Sequence, residues 1–299
     1  MENYSNTELL SELERRLTNI ETSNQIIDRL NMQIKELNDK LQQAEEIKSH
    51  FLSNVRNQII NPFESILGLS KNILHIDKNN LDKIRRHSQL IYTEAFELDF
   101  QLKNIFAAAK IEAGDTEPEF RLFNLQDLCD DVVRVFENKL ENKQIQIEKR
   151  FELAKDGIEK RGFVTDPFKL ELILANLINN AIEYSPSCSK IEMSVWYEDY
   201  NLIIEVKDHG IGIETIDQKI IFDRFKKLDS SINSINKGHG LGLSIVKAFL
   251  DLINGQIFIQ SKKTVGSIFT IILPEQRENM DDGFLLSGDD FISDDVETF

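Results

Sequence analysis

The chain has 299 residues, of which 41% are hydrophobic and 8% aromatic, enough for about two domains and at least one real core. Its formal charge of -16 repels nucleic acid and anionic membrane alike, so neither is an expected partner. No apolar run reaches the roughly 18 residues of a membrane span, and no basic-then-apolar leader opens the chain, so a soluble cytoplasmic protein is expected. Cys129 and Cys188 fit no metal or redox spacing and read as small, partly buried residues in a reducing compartment.

Residues 1–46 read as a coiled coil. Leu10, Leu13, Leu17, Ile20, Asn24 and Ile27 recur in alternating steps of three and four, and the stripe continues through Leu30, Ile34, Leu37, Leu41 and Ala44. Two consecutive steps of three, from Asn24 to Leu30, form a stammer that overwinds the supercoil locally. Asn24 on the seam favours one register and oligomer at some cost in stability.

Residues 47–118 read as a helical hairpin. The first helix runs from Ile47 to about Leu74 and contains Pro62, which removes one backbone bond. His75 to Asn80 is a polar turn. The second helix runs from about Leu81 to Ala113, with Ile84, Ile91, Leu98, Leu102 and Ile105 among its apolar positions, and Gly114 and Asp115 end it. Two copies of such a hairpin make a four-helix bundle, so a homodimer is expected.

Residues 119–275 change texture to mixed helix and strand. Leu125 to Asn142 predicts a helix, Gln144 to Glu152 a strand, and Leu170 to Tyr184 another helix. Lys190 to Lys207 predicts a hairpin turning near Glu198 to Asn201. Leu243 to Ile253 is helical, and Gln256 to Ser261 and Ser267 to Leu273 are strands closed by Pro274. The fold class is therefore α+β, with helices layered on one face of a sheet. Residues 276–299 read as an acidic disordered tail: from Glu275 onward nine acids face one base, Arg277, for a net of -8.

Three pieces of residues 119–275 can carry chemistry. Asn176 and Asn180 lie four apart on one helix, so both amides share a face, and amide oxygens suit Mg²⁺. Asp208-His209-Gly210-Ile211-Gly212-Ile213 follows a strand, where a carboxylate can accept an amino group and glycines let the backbone approach a flat ring. Gly238-His239-Gly240-Leu241-Gly242-Leu243-Ser244 leads into a helix whose N–H groups suit phosphate. Taken singly, these fit equally a polar helix surface, an ordinary glycine turn and one Gly-rich loop.

In this order the three resemble the nucleotide-binding domain of sensor histidine kinases, in the Bergerat-type ATPase superfamily. Ile221-Phe222-Asp223-Arg224-Phe225 resembles the family's aromatic motif, and Gly266-Ser267-Ile268-Phe269 with Leu273-Pro274 its last glycine box and terminal strand. The likeness covers roughly Phe123 to Pro274 and implies an α/β sandwich. It also implies that Asn180 binds Mg²⁺ with Asn176 lining the site, and that Tyr184 lies near the phosphates. By the same resemblance Asp208 would take the adenine amino group, Gly210 and Gly212 would shape that pocket, and Arg224 and Phe225 would edge a flexible lid. Gly238, Gly240 and Gly242, with Leu241 and Leu243 between and after them, would cradle phosphate. Glu183 departs from the family, which usually carries a basic or neutral residue there; an acid opposes phosphate unless it points to solvent.

The hairpin resembles the family's dimerisation and phosphoacceptor domain. That motif normally reads His-Glu, two variable residues, then Asn or Thr and Pro; here Asn57 and Gln58 replace His-Glu, and Asn61 and Pro62 remain. An imidazole nitrogen attacks phosphorus while a carboxylate takes or orients its proton. The amide nitrogen of Asn57 has its lone pair delocalised, and Gln58 is no carboxylate base, so conventional autophosphorylation at this position is expected to be absent. His50, seven residues earlier and about 10 Å along the axis, lacks both the adjacent acid and the Asn-Pro frame.

The function expected is a dimeric histidine-kinase homologue in two-component signalling that binds Mg-ATP, with a response regulator or another histidine kinase as partner. The alternatives are a non-catalytic ATP-sensing pseudokinase and a dimeric scaffold that regulates such a partner.

Overall fold

A computed structural model of the chain describes residues 6–77, 80–153, 162–222 and 241–276. The chain divides into two compact units, residues 1–57 and 58–299. Arg224, Phe225, Gly238, Gly240 and the acidic tail beyond Gln276 lie outside the described residues.

Helix α1, Asn6–Leu74, crosses the division without interruption, so the coiled-coil stripe and the first hairpin helix are one element. Pro62 sits inside it and the helix continues through. Within the first unit, Leu17, Ile20, Ile27, Leu30, Ile34, Leu37 and Leu41 are each at least half exposed in the single chain. The stripe is therefore open over its described part, Leu17 to Leu41. The side chains of Leu10, Leu13, Ala44, His50, Asn57 and Gln58 lie outside the described residues; Asn61 is exposed.

In the second unit, α2 spans Leu81–Ala113. The side chain of Asn80 accepts from the Lys83 N–H, and Gly114 closes the helix in the left-handed region, φ 70°. Phe100, Gln101, Asn104 and Ala107 are buried on one face. The helix expected from Leu125 to Asn142 is two: α3, Leu125–Val135, and α4, Glu137–Lys143. The break falls at Phe136, whose ring is fully buried and packs edge-on against Phe96 and Phe100 of α2. Tertiary packing of one ring overrides the helical periodicity around it.

The strands form a five-stranded mixed sheet and a small pair. β1, Arg121–Phe123, pairs antiparallel with β3, Phe163–Thr165; both were too short to show a period. β2, Gln146–Glu152, starts two residues later than expected because Gln144 takes a left-handed φ of 54° and caps α4. β4, Lys190–Glu198, and β5, Asn201–Lys207, form the expected hairpin, its two-residue turn made by Asp199 and Tyr200 at positive φ. β6, Gln256–Lys262, and β7, Gly266–Pro274, complete the order β2-β4-β5-β7-β6, parallel between β2 and β4 and antiparallel elsewhere.

Helix α5, Pro167–Tyr184, begins three residues before the expected start. Asp166 caps it by accepting from the Lys169 N–H, and Pro167 stands where its missing N–H costs nothing. Helix α6 is Gly242–Leu252. Ile191, Met193, Val195, Leu202, Ile204, Val206, Ile271 and Leu273 alternate into one sheet face and are essentially inaccessible, and α5 and α6 pack over that side. Gln276 donates to the Val164 carbonyl at 3.0 Å, so folded chain extends one residue into the segment expected to be tail. Among the described residues no helix is long and apolar enough to cross a membrane.

The two thiols part company. Cys129 is fully buried and Cys188 is exposed, not partly buried as expected. Burial, reinforced by the neighbouring Asp130 charge, pushes the Cys129 thiol up to about 12, so its reactive thiolate is scarce. A disulfide-exchange reagent should label Cys188 in the native protein and reach Cys129 only after denaturation; comparable native reactivity of both would contradict this packing.

Candidate functional site

The site forms where β5 ends. Its last residue is Lys207, and Asp208 follows with its main chain still engaged: the Asp208 N–H donates to the Ser267 carbonyl of β7 at 2.8 Å. The carboxylate is held in turn. Oδ1 accepts from the Gly210 N–H at 2.8 Å and from the Ser267 N–H at 3.2 Å. Burial raises this carboxyl above its usual range, with the two backbone donors pulling the other way.

The turn after Asp208 leaves no room for side chains. A Cβ on Gly210 would stand 2.4 Å from the Tyr184 carbonyl oxygen at the end of α5. One on Gly212, at φ +65°, would stand 2.0 Å from the Lys262 carbonyl oxygen. The Ile211 N–H donates to that same Tyr184 carbonyl, and Thr264 N–H donates to the Ile211 carbonyl. The Ile213 N–H is taken by Ser261 Oγ, which also bonds Ser267 Oγ at 2.9 Å. The structure thus joins Tyr184, Asp208, Gly210 and Gly212 to the β6–β7 turn through close backbone packing. Ser261 was not singled out by sequence, because an isolated strand serine carries no pattern.

Helix α5 supplies the amides. Asn176 is buried and Asn180 half-buried on the polar side of a helix whose other side is core. Asn176 lies against the start of α6, where a Cβ on Gly242 would come within 2.6 Å of its Oδ1. Leu241 is buried and its carbonyl accepts from Ser244 Oγ at 2.8 Å, while Leu243 is half-buried. The described part of the glycine-rich loop therefore meets the amide face of α5. Among the described residues no group of three or more His, Cys, Asp or Glu could hold a metal ion.

Glu183 is paired rather than turned to open solvent. Its Oε1 pairs with Lys139 Nζ of α4 at 2.7 Å. Lys139 also meets Glu97 of α2 at 2.9 Å and donates to Asn179 Oδ1 at 2.7 Å, and its side chain is only 17% exposed. Burial opposes the ammonium charge, but the two carboxylates outweigh it and hold Lys139 above its ordinary range. Lys143 Nζ donates to the Ile182 and Glu183 carbonyls at 2.7 and 2.9 Å, placing a cation at the negative end of α5. Neither lysine was visible in sequence as part of the site, being some 40 residues from its partners.

Residues 165–277 match the family model for histidine kinase-, DNA gyrase B- and HSP90-like ATPases. The circadian input-output histidine kinase CikA of Thermosynechococcus vestitus is 28% identical over 276 residues, 92% of this chain and 37% of that protein. The sensor-like histidine kinase SenX3 of Mycolicibacterium smegmatis is 28% identical over 231 residues, 77% of this chain and 58% of that one. This chain spans about a third of the length of its first curated relatives. The solved structure of the Acinetobacter baumannii histidine kinase AdeS, 21% identical, covers 74% of this chain and 98% of its own with a TM-score of 0.50, a likeness of fold.

Replacing Lys139 with Met strands two partly buried carboxylates and should cost about 3 kcal/mol by denaturant unfolding at neutral pH. Adding Glu183→Gln should recover part of it. Because the folded lysine titrates above 10.5, the stability it contributes is complete below that pH and is lost as pH rises through the folded value. Additive losses in the double variant would dissolve the cluster as an energetic unit.

Proposed function

We propose a function from one premise: residues 165–277 belong to the family of histidine kinase-, DNA gyrase B- and HSP90-like ATPases, and the chain is homologous to sensor histidine kinases. On that premise the protein is a histidine-kinase homologue of two-component signalling that binds Mg-ATP without using the customary acceptor position. The observation that carries the reading is the buried carboxylate of Asp208. Its bonds from the Gly210 and Ser267 N–H groups both fall on Oδ1, which suits its second oxygen to the amino group of a ligand.

The roles follow from position. Asp208 accepts the adenine amino group through its second oxygen, Gly210 and Gly212 set the height of the ring slot, and Tyr184 borders the phosphates. Asn180, with Asn176 beside it, contributes amide oxygen to Mg²⁺; Gly242 and the N–H groups opening α6 meet phosphate. Gly238, Gly240, Arg224 and Phe225 take the family roles their motifs imply. The stripe of residues 1–46 and the hairpin of residues 47–118 make the homodimer. Bound metal-nucleotide supplies an activated phosphoryl group, and the chain's contribution is positioning and charge stabilisation.

Asn57 and Gln58 support a second reading, in which the nucleotide acts as a conformational ligand and the protein regulates a partner kinase or response regulator. The ligand must then prefer one arrangement of the helices over another.

Incubation with γ-labelled ATP should leave no acid-labile label on the wild type and restore part of it in Asn57→His/Gln58→Glu. Label on the wild type that disappears in His50→Ala would overturn the loss of acceptor chemistry. Asp208→Ala should weaken nucleotide binding about 10- to 100-fold, the worth of a hydrogen bond to a charged group. In the wild type, affinity should fall as pH drops through the raised Asp208 value, which lies above 3.8.

A further inference from the structure

Helices α2 and α5 meet through a buried pair of carboxamides, Asn104 at 4% exposure and Asn176 at 3%. Asn176 Nδ2 donates to Asn104 Oδ1 at 2.7 Å and to the Leu172 carbonyl at 2.8 Å. A primary amide has two N–H groups, so both hydrogens of Asn176 are committed. Asn104 is oriented by the same device, its own Nδ2 donating to the Phe100 carbonyl at 3.0 Å. With its nitrogen held on the α2 side, Asn176 turns its oxygen to the first turn of α6, close enough that a Cβ on Gly242 would lie 2.6 Å away.

Resting on the nucleotide reading above, we propose that Asn104 is a positioning residue for the nucleotide site: by taking one amide hydrogen of Asn176 it aims that amide's oxygen at the glycine opening α6. The second hairpin helix thereby enters the site's geometry without touching nucleotide. Glu97, Phe100 and Asn104 share one face of α2 and engage Lys139, the ring of Phe136 and Asn176 in turn. A rotation of α2 large enough to withdraw that face removes the acceptor from Asn176 and frees its amide to turn. By linkage, ligand bound at the site favours the α2 position that keeps Asn104 engaged.

The test measures binding of the non-hydrolysable analogue AMP-PNP with Mg²⁺ to the full chain by calorimetry, beside circular dichroism and thermal melting. Asn104→Ala and Asn104→Leu remove the acceptor, the leucine conserving volume and keeping the test readable should the alanine variant not fold. Both should bind about fivefold more weakly or worse, the scale of linked sites, at a temperature where they are fully folded. Asn104→Asp is the conservative rescue. It keeps an acceptor oxygen for Asn176 in either protonation state, and its affinity should stay within about twofold of wild type. Affinity unchanged in the folded leucine variant, or aspartate as weak as leucine, would overturn the positioning role. A wild type that binds no analogue overturns the nucleotide reading itself, and this inference with it.

Discussion

The placement of Asp208 depends on one pairing, between β5 and β7. Because these strands run antiparallel with Lys207 opposite Ile268, the residue after β5 is still in register with Ser267, and its main chain and side chain are both captured there. That is how an acid comes to be buried at all. Taking a carboxylate out of water is unfavourable unless donors replace the water, and the two backbone N–H groups of Gly210 and Ser267 do so on one of its oxygens. The glycines are a corollary: a turn drawn this tightly onto α5 and the β6–β7 turn brings carbonyl oxygens to where side chains would begin.

Helix α5 mediates between the sheet and everything outside it. Its apolar side, with Leu170, Ile173, Leu174, Leu177 and Ile178, is core. Its polar side carries Asn176, Asn179, Asn180 and Glu183 at helical spacing, and these divide their attention. Asn176 answers to α2 and lies beside α6, whereas Asn179 and Glu183 answer to Lys139. The C-terminal end is steadied by Lys143, whose ammonium satisfies carbonyls that the helix itself leaves unpaired. A helix held along its polar side and at one terminus can present an amide at a set angle.

Much of this was legible from sequence because it rests on local rules. Gly114 ends α2, and the alternation through β4 and β5 gave the hairpin and its turn, whereas the Asp166-Pro167 opening of α5 was missed by three residues. Tyr184, Asp208, Gly210 and Gly212, named from motif order, do converge. What escaped was non-local. The break at Phe136 is made by two rings on α2, and β1 and β3 exist only by pairing across about forty residues. Lys139 belongs to the site through partners on two other helices. Asn104 was not singled out either, because its partner lies 72 residues away on another helix.

The shared ammonium of Lys139 constrains how this sequence can change. A basic residue cannot simply be placed at position 183: a second cation would stand against the first, with one acid, Glu97, left to balance both. Such a change requires an accompanying change at 139, so the acid and the lysine behave as one coupled pair.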